Sequence, residues 1–398
     1  MTSPALGRSI APSADATPWF HSSADVAIIG GGRMGCAVSL YLAESGVDVA
    51  VMEGREINRE ASGVNAGSLH FQVYMHSNHD PEWIESVRPS VELHRYAAAG
   101  WRTLEAELGT DLGVLLGGGL MVAESDEQMA LLRKKVEIEN SMGLETELLS
   151  ARDMLALAPY LAEDLLGADY CRDEGLANPL VVTPAFARAA VAHGARILTN
   201  TQVQSIERRA GGGFVIGTSR GPFEAGRVID AAGAWAGQVA RMAGLRVPVW
   251  GNVIHMNVTE ALPPLMHGQL VQHAGRRLTL KQSADGTFII GGAWPAAYNQ
   301  STHAKTTLLD STVGNVWVAA RTVPALRSAR LNRTWAGMGT NVDSELPILG
   351  ESGRLKGFYV LFATLGFALG PTLARLLAER ILGRAPSISI DPFSPNRF

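Results

Sequence analysis

The apolar positions of this chain gather into a few dense runs separated by helical and alternating stretches. Val26-Ala27-Ile28-Ile29 is a short unbroken apolar run, the pattern of a strand buried on both faces. Residues 36–44 follow with helical spacing, Gly46 stands where that helix would end, and residues 47–52 read as a second strand closing on Glu53. Residues 227–235 form another buried strand that ends in small side chains, and a strand pair over 195–207 precedes it. Near the C-terminus, residues 357–363 read as a strand that leads through Thr364-Leu365-Gly366-Phe367 into a helix reaching Leu382. There Leu369, Leu373, Leu376, Leu377 and Ile381 recur at three- and four-residue intervals and make one apolar face. Pro371 is placed in its first turn, where N–H groups have no intrahelical partner.

Other segments carry different periods. Residues 86–108 and 126–143 are helical in spacing, while 276–291 alternates as a hairpin turning at Asp285-Gly286. At 398 residues the chain exceeds one ordinary core, so two domains, or one with a large insertion, are expected.

Composition narrows the class. Apolar residues make up 46% and charged residues 18%, which argues against disorder. A net charge of -4 leaves no electrostatic footprint for nucleic acid or anionic lipid. Cys36 and Cys171 are too few for a disulfide framework, a zinc site or an iron–sulfur cluster, so no metal site is assigned. Residues 1–24 are rich in Ala, Ser and Pro and lack the apolar stretch of a secretory signal. They read as a loosely ordered arm on which Trp19-Phe20 could dock. No apolar segment approaches the roughly 20 residues of a membrane span. A soluble protein of the reducing cytoplasm is the expectation.

The first strand runs directly into Gly30-Gly31-Gly32-Arg33-Met34-Gly35, the spacing G-x-G-x-x-G. Strand, glycines, helix, second strand and acid arrive in the order of a dinucleotide-binding unit. Gly30 allows the tight turn, Gly32 admits the pyrophosphate close to the backbone, and Gly35 lets helix and strand pack. The helix N-terminus offers unpaired N–H groups and partial positive charge to phosphates. Glu53, 23 residues after Gly30, is placed to accept ribose hydroxyls and to repel the extra phosphate of NADP.

The motif alone does not separate NAD from FAD; three later segments do. Arg59-Glu60-Ala61-Ser62-Gly63-Val64-Asn65-Ala66-Gly67 is a small, polar, glycine-rich loop that can run beside a flat cofactor or be a plain surface loop. Val228 to Trp235 resembles the strand of two-dinucleotide-fold flavoproteins in which small side chains let the chain pass next to FAD. The positive end of the C-terminal helix suits a flavin N1–C2=O edge, which becomes anionic on reduction. FAD is the cofactor read here.

With these stretches, and with Trp335-Ala336-Gly337 and residues 343–350, the chain resembles the D-amino-acid oxidase, glycine oxidase and sarcosine oxidase family of FAD enzymes. The resemblance extends over nearly everything after residue 24. It implies an α/β fold: a Rossmann-like FAD-binding domain from 25–100, 175–245 and 328–398, and an α+β substrate domain, mainly antiparallel sheet, from 101–174 and 246–327. Residues 61–70 and 118–125 look closest to catalytic subunits of heteromeric dehydrogenases for opines, hydroxyproline or proline. The reaction implied is oxidation of a C–N bond by hydride transfer to flavin N5, with partner subunits carrying further redox centres. A stand-alone glycine, sarcosine or D-amino-acid oxidase that releases hydrogen peroxide is the second reading. A flavin-binding assembly or electron-relay subunit is the third.

Motif and resemblance together assign FAD contacts to Gly30, Gly32, Arg33, Met34, Gly35, Glu53 and Gly54, and to Ser62, Asn65, Ala66, Gly67, Ser68 and Leu69 in the loop. Val203 at the adenine end, Ala232, Gly233, Trp235, Leu365, Gly366, Phe367 and Ala368 complete the set. For catalysis, His70 and Gln72 alternate to one side of an extended segment and are expected to face flavin or substrate, though a structural histidine fits equally. Lys281 would bind a substrate carboxylate, place charge near reduced flavin, or stand solvated at the surface. Trp294 would wall the pocket or serve as a core aromatic. Cys36 and Cys171 are poorly placed for a covalent flavin link.

One departure bears on substrate. Many amino-acid oxidases of this family carry, two residues after Trp-Ala-Gly, an arginine that clamps the substrate carboxylate. Here that place is Gly339. Either Arg333, Arg276, Arg277 or Lys281 binds the acid, or the substrate is a bulkier secondary amine held differently.

Overall fold

A computed structural model describes residues 22–73 and 86–398; the Trp19-Phe20 pair lies outside the described residues. Strand β1 begins at Ser23 (Ser23–Ile29), so the expected boundary at residue 24 falls inside it. Its last four residues are almost wholly buried, as an apolar run covered on both faces requires. Helix α1 (Arg33–Ala43) and strand β2 (Val49–Met52) complete the opening unit, with β1 and β2 parallel.

On the other side of β1 the Gly221–Asp230 strand runs parallel, followed by Phe358–Phe362, also parallel, and by Ile348–Glu351, antiparallel. Arg196–Leu198 continues the sheet beyond β2. The strand pair expected over 195–207 is two strands with different partners: Val203–Arg208 pairs with Phe214–Thr218 instead. Helix α1, the Pro179–Ala192 helix and the C-terminal Gly366–Ile381 helix share one apolar core on one face of this sheet. Leu373, Leu376 and Leu377 are fully buried there, so the leucine stripe is the packing face.

The second sheet has eight strands and is antiparallel except where Leu270–His273 meets Gly119–Ala123. Its order runs from Leu331–Val342 and Val249–Ala261, through the Thr287–Gly291 and Thr279–Gln282 hairpin, to Thr146–Ser150. The division at residue 328 groups Leu331–Val342 with the first unit; its hydrogen bonds to Val249–Ala261 put it in the second sheet.

Pro371 also sits differently from the sequence expectation. The helix begins at Gly366, so Pro371 falls in its second turn and leaves the Phe367 carbonyl without its helical N–H partner. Among the described residues no helix is long and apolar enough to cross a membrane.

Candidate active site

A cavity of about 670 Å³ runs between the two sheets, within the range of cofactor and ligand pockets. One end is walled by Glu53, Gly54, Thr201 and Val203, and the middle by Gly30, Gly32, Arg33, Met34, Ser62 and Ala232 to Trp235. The far end is walled by Leu365 to Ala368 and by Asn252, Ile254, Met256, Met338 and Asn341 of the second sheet.

The turn beneath it depends on glycine. Gly30 has φ +113°, and a Cβ there would come within 2.6 Å of the Ala231 carbonyl oxygen. A Cβ on Gly35 would stand 1.9 Å from the Gly30 carbonyl oxygen, so α1 can approach β1 only without a side chain. Glu53 Oε2 accepts from the Gly31 N–H at 2.8 Å and Oε1 from Arg55 N–H at 2.9 Å, which holds the carboxylate at the end of β2. The loop after β2 closes on this turn: Arg33 N–H donates to Ser62 Oγ at 2.9 Å, and Ala61–Val64 forms a short helix along the cavity.

These features fit FAD. The glycine turn leaves the space phosphates need, an acid at the end of β2 borders the cavity, and the N-termini of α1 and of the Gly366–Ile381 helix both open on it. Gly30, Gly32, Arg33, Met34, Glu53, Gly54, Ser62, Asn65, Ala66, Ser68, Val203, Ala232, Gly233, Trp235 and residues 365–368 all line it. Gly35, Gly67 and Leu69 do not; they stand behind its wall, where Gly67 packs against the Ala177 carbonyl.

The expected catalytic trio separates. His70 lines the cavity. Gln72 is fully buried and turned away from it, because regular strand pairing ends at Leu69 and the alternation with His70 stops there. Its Nε2 donates to Glu174 Oε2 at 2.8 Å. Glu174 Oε1 also accepts the Phe71 and Gln72 backbone N–H groups, and Glu139 accepts that of Val73 at 2.5 Å. Lys135 joins the cluster, bonding Gln72 Oε1, Glu139 and Asp169. Burial pushes the Glu174 carboxyl up to about 8 and Glu139 up to about 7. The segment carrying His70 is therefore anchored by buried polar side chains of the insertion.

Lys281 is 2% exposed, which excludes a solvated lysine. It does not line the cavity but stands directly behind it, where Nζ donates to Ser68 Oγ at 2.7 Å. Burial drives its ammonium well below the usual lysine range. Trp294 packs on the Leu309–Thr322 helix at Gly314 and donates to the Arg277 carbonyl; it is not a pocket wall.

Gly339 faces the cavity, and Asn252 fills the space beside it: a Cβ at Gly339 would stand 2.6 Å from Asn252 Oδ1. That oxygen accepts from Asn341 Nδ2 at 2.7 Å. None of the alternative cations reaches the cavity: Arg276 pairs with Glu124 at 2.6 Å, and Arg277 and Arg333 face outward.

Several cavity residues carried no sequence signal. His94, on the Val91–Trp101 helix, bonds the Phe71 carbonyl through Nδ1 at 2.9 Å, and burial lowers it to about 4. Glu345, at φ +54°, is raised to about 7 by burial. Tyr298 and His303 pair at 2.7 Å on a small exposed hairpin, beside Lys305, which bonds Glu60.

Sheet order, glycine turn and cavity define a dinucleotide-binding fold with a second, separate sheet. Residues 25–380 match the family described as FAD dependent oxidoreductase (DAO), and the chain belongs to it. It is 27% identical over 392 residues to one subunit of the opine oxidase of Rhizobium meliloti, covering 94% of this chain and 97% of that one. It is 26% identical to mitochondrial sarcosine dehydrogenase of Mus musculus over 408 residues, 99% of this chain but only 43% of that protein's length. The crystal structure of glycine oxidase from Geobacillus kaustophilus superposes with a TM-score of 0.82 at 26% identity, covering 95% of this chain and 99% of that one.

Proposed function

We propose that this chain oxidises the C–N bond of a secondary amino acid, an opine-like compound or an imino acid, as the catalytic subunit of a heteromeric dehydrogenase. The carrying observation is Gly339 with Asn252 beside it, where a carboxylate-clamping arginine would stand. An amide pair in that place hydrogen-bonds a polar or extended substituent but supplies no charge for a small amino acid. The nearly full-length match to one subunit of an opine oxidase supports the same substrate class and a partner chain.

When bound, FAD supplies the two-electron acceptor. On this reading the first sheet holds the cofactor, and the wall from Asn252 to Met256 with Met338 and Asn341 holds the amine. His70 orients the substrate, and Glu345 attracts its ammonium and takes up the proton that must leave before the C–H bond breaks. Lys281, behind Ser68, fixes the Ser68 hydroxyl at the floor of the site. The buried, unpaired Cys36 and Cys171 fit a reducing compartment, the cytoplasm.

The glycine oxidase likeness supports a second reading, a stand-alone oxidase of a primary amino acid. Anaerobic mixing decides between them: octopine, nopaline or hydroxyproline should bleach flavin absorbance near about 450 nm. Bleaching by glycine or a D-amino acid alone, with hydrogen peroxide formed at turnover rate, would establish the second reading. Bound flavin that no amine reduces, even with partner chains present, would leave an electron-relay subunit.

A further inference from the structure

Arg33 is the first residue of α1, inside the glycine turn, and is only 4% exposed. Its Nε and Nη1 are shut off from solvent and have no hydrogen-bond partner among the described residues. Nor does any carboxylate among them pair with it; Glu53, the nearest acid of the turn, is taken by backbone N–H groups. The guanidinium lies 4.3 Å from the centre of the Phe367 ring, and Nη2 is 3.8 Å from where a Cβ on Gly366 would be. It is thus held between the N-termini of α1 and the Gly366–Ile381 helix, and it lines the cavity.

An arginine in this setting is costly. Taking a charge out of water without a counter-ion costs several kcal/mol, and two positive helix ends add to the burden. Burial alone pulls this guanidinium down to about 9. The stacked Phe367 face offsets part of that cost. An anion seated in the cavity that Arg33 lines would offset the rest.

We propose that the Arg33 side chain is the counter-ion of the FAD pyrophosphate, beyond the backbone contacts that the glycine turn itself provides. The inference rests on the FAD reading. It favours phosphates over the flavin ring for two reasons. The pyrophosphate is anionic in every redox state, whereas the N1–C2=O edge gains charge only on reduction, so only phosphate neutralises the arginine in the resting enzyme. And Arg33 springs from the α1 N-terminus, where phosphate is seated. A planar fork of N–H donors matches phosphate oxygens, so affinity for the ADP half of FAD is stored in a side chain that the unliganded chain holds at a cost.

The test uses the full chain stripped of flavin, with Arg33→Met and Arg33→Lys. Methionine keeps the length and the contact with Phe367 but removes the charge. FAD and ADP binding by calorimetry should weaken together in Arg33→Met, by roughly ten- to a hundredfold, the worth of a charged hydrogen bond. Arg33→Lys should fall between. Flavin-free Arg33→Met should melt at or above the wild-type temperature, since a buried unpaired cation is gone, while the increase in Tm on adding FAD should shrink. Unchanged ADP affinity with a lowered flavin midpoint potential would place the charge at the ring and overturn the proposal. A flavin-free Arg33→Met that melts far below wild type would make Arg33 a structural residue and also overturn it. Failure of the wild-type chain to bind FAD would instead overturn the cofactor reading on which this rests.

Discussion

Gln72 is clamped between Glu174 and Lys135: its Nε2 donates to Glu174 Oε2 at 2.8 Å while its Oε1 accepts from Lys135 Nζ at 2.9 Å. Both partners are fully buried and lie in the 101–174 insertion, so the backbone that delivers His70 to the cavity is fastened by that insertion. Glu174→Ala would strip the acceptor from the Phe71 and Gln72 N–H groups together. At about 1–3 kcal/mol for each buried orphan, denaturation midpoints should drop sharply. Amine-dependent flavin reduction should slow in whatever folded protein survives, because His70 loses its anchor. A variant with wild-type stability and reduction rate would show that the network anchors nothing.

The same carboxyl sets a pH dependence. Burial raises Glu174 from its ordinary value to about 8, so the folded state holds a proton that the unfolded state has released. A raised acid contributes no penalty below the unfolded pKa and an increasing one up to the folded pKa. Relative to Glu174→Gln, wild-type Tm should therefore fall as pH rises from about 4.5 to 8. Melting curves of both proteins across that range check the sign; parallel profiles would contradict it.

Gly35→Ala places a methyl group 1.9 Å from the Gly30 carbonyl oxygen. The turn must open, and the phosphate seat opens with it. The purified variant should carry little flavin, with FAD affinity reduced by at least about a hundredfold, the order expected when several phosphate hydrogen bonds are lost. The ratio of absorbance at the flavin band to that at the protein band measures this directly.

Lys281→Met removes a buried amine behind Ser68. If that amine takes up a proton beside anionic reduced flavin and so assists the transfer of electrons out of it, reoxidation should slow by roughly tenfold, about 1.4 kcal/mol, with amine-driven reduction little changed. Stopped-flow measurement of the two half-reactions separates these effects. Equal loss in both would mean that Lys281 only supports Ser68.

Installing the missing clamp tests the substrate class. Gly339→Arg alone collides with Asn252, so Gly339→Arg with Asn252→Ala is the informative pair. The pair should improve flavin reduction by glycine or a D-amino acid by about ten- to a hundredfold and weaken that by an opine. Improved opine turnover would mean that the native enzyme does not rely on the amide pair.

Much of this fold is legible in local pattern. The β1–α1–β2 unit and the final strand and helix announce themselves because glycine spacing, apolar runs and a leucine stripe act over neighbouring residues. The Pro179–Ala192 helix leaves no such mark: Pro179 and Pro184 argue against a helix, yet Asn178 caps it and Pro179 stands at its start. His94 is hidden for another reason. A histidine on an apolar helix face is ordinary until the fold shows that the face borders a cavity. Gln72 departs from its expected place because period-two alternation holds only while the strand lasts, and here pairing stops at Leu69.

The amino-acid order by itself determined the dinucleotide turn, the acid after β2, and the final strand and helix. Each depends on contacts within about one supersecondary unit, so spacing alone carries it. Only the tertiary structure decided that Lys281 and Gln72 are buried behind the wall, that Leu331–Val342 belongs to the second sheet, and that Asn252 meets Gly339. Those facts arise where segments far apart in the chain compete for the same buried space, and no local period records which of them wins.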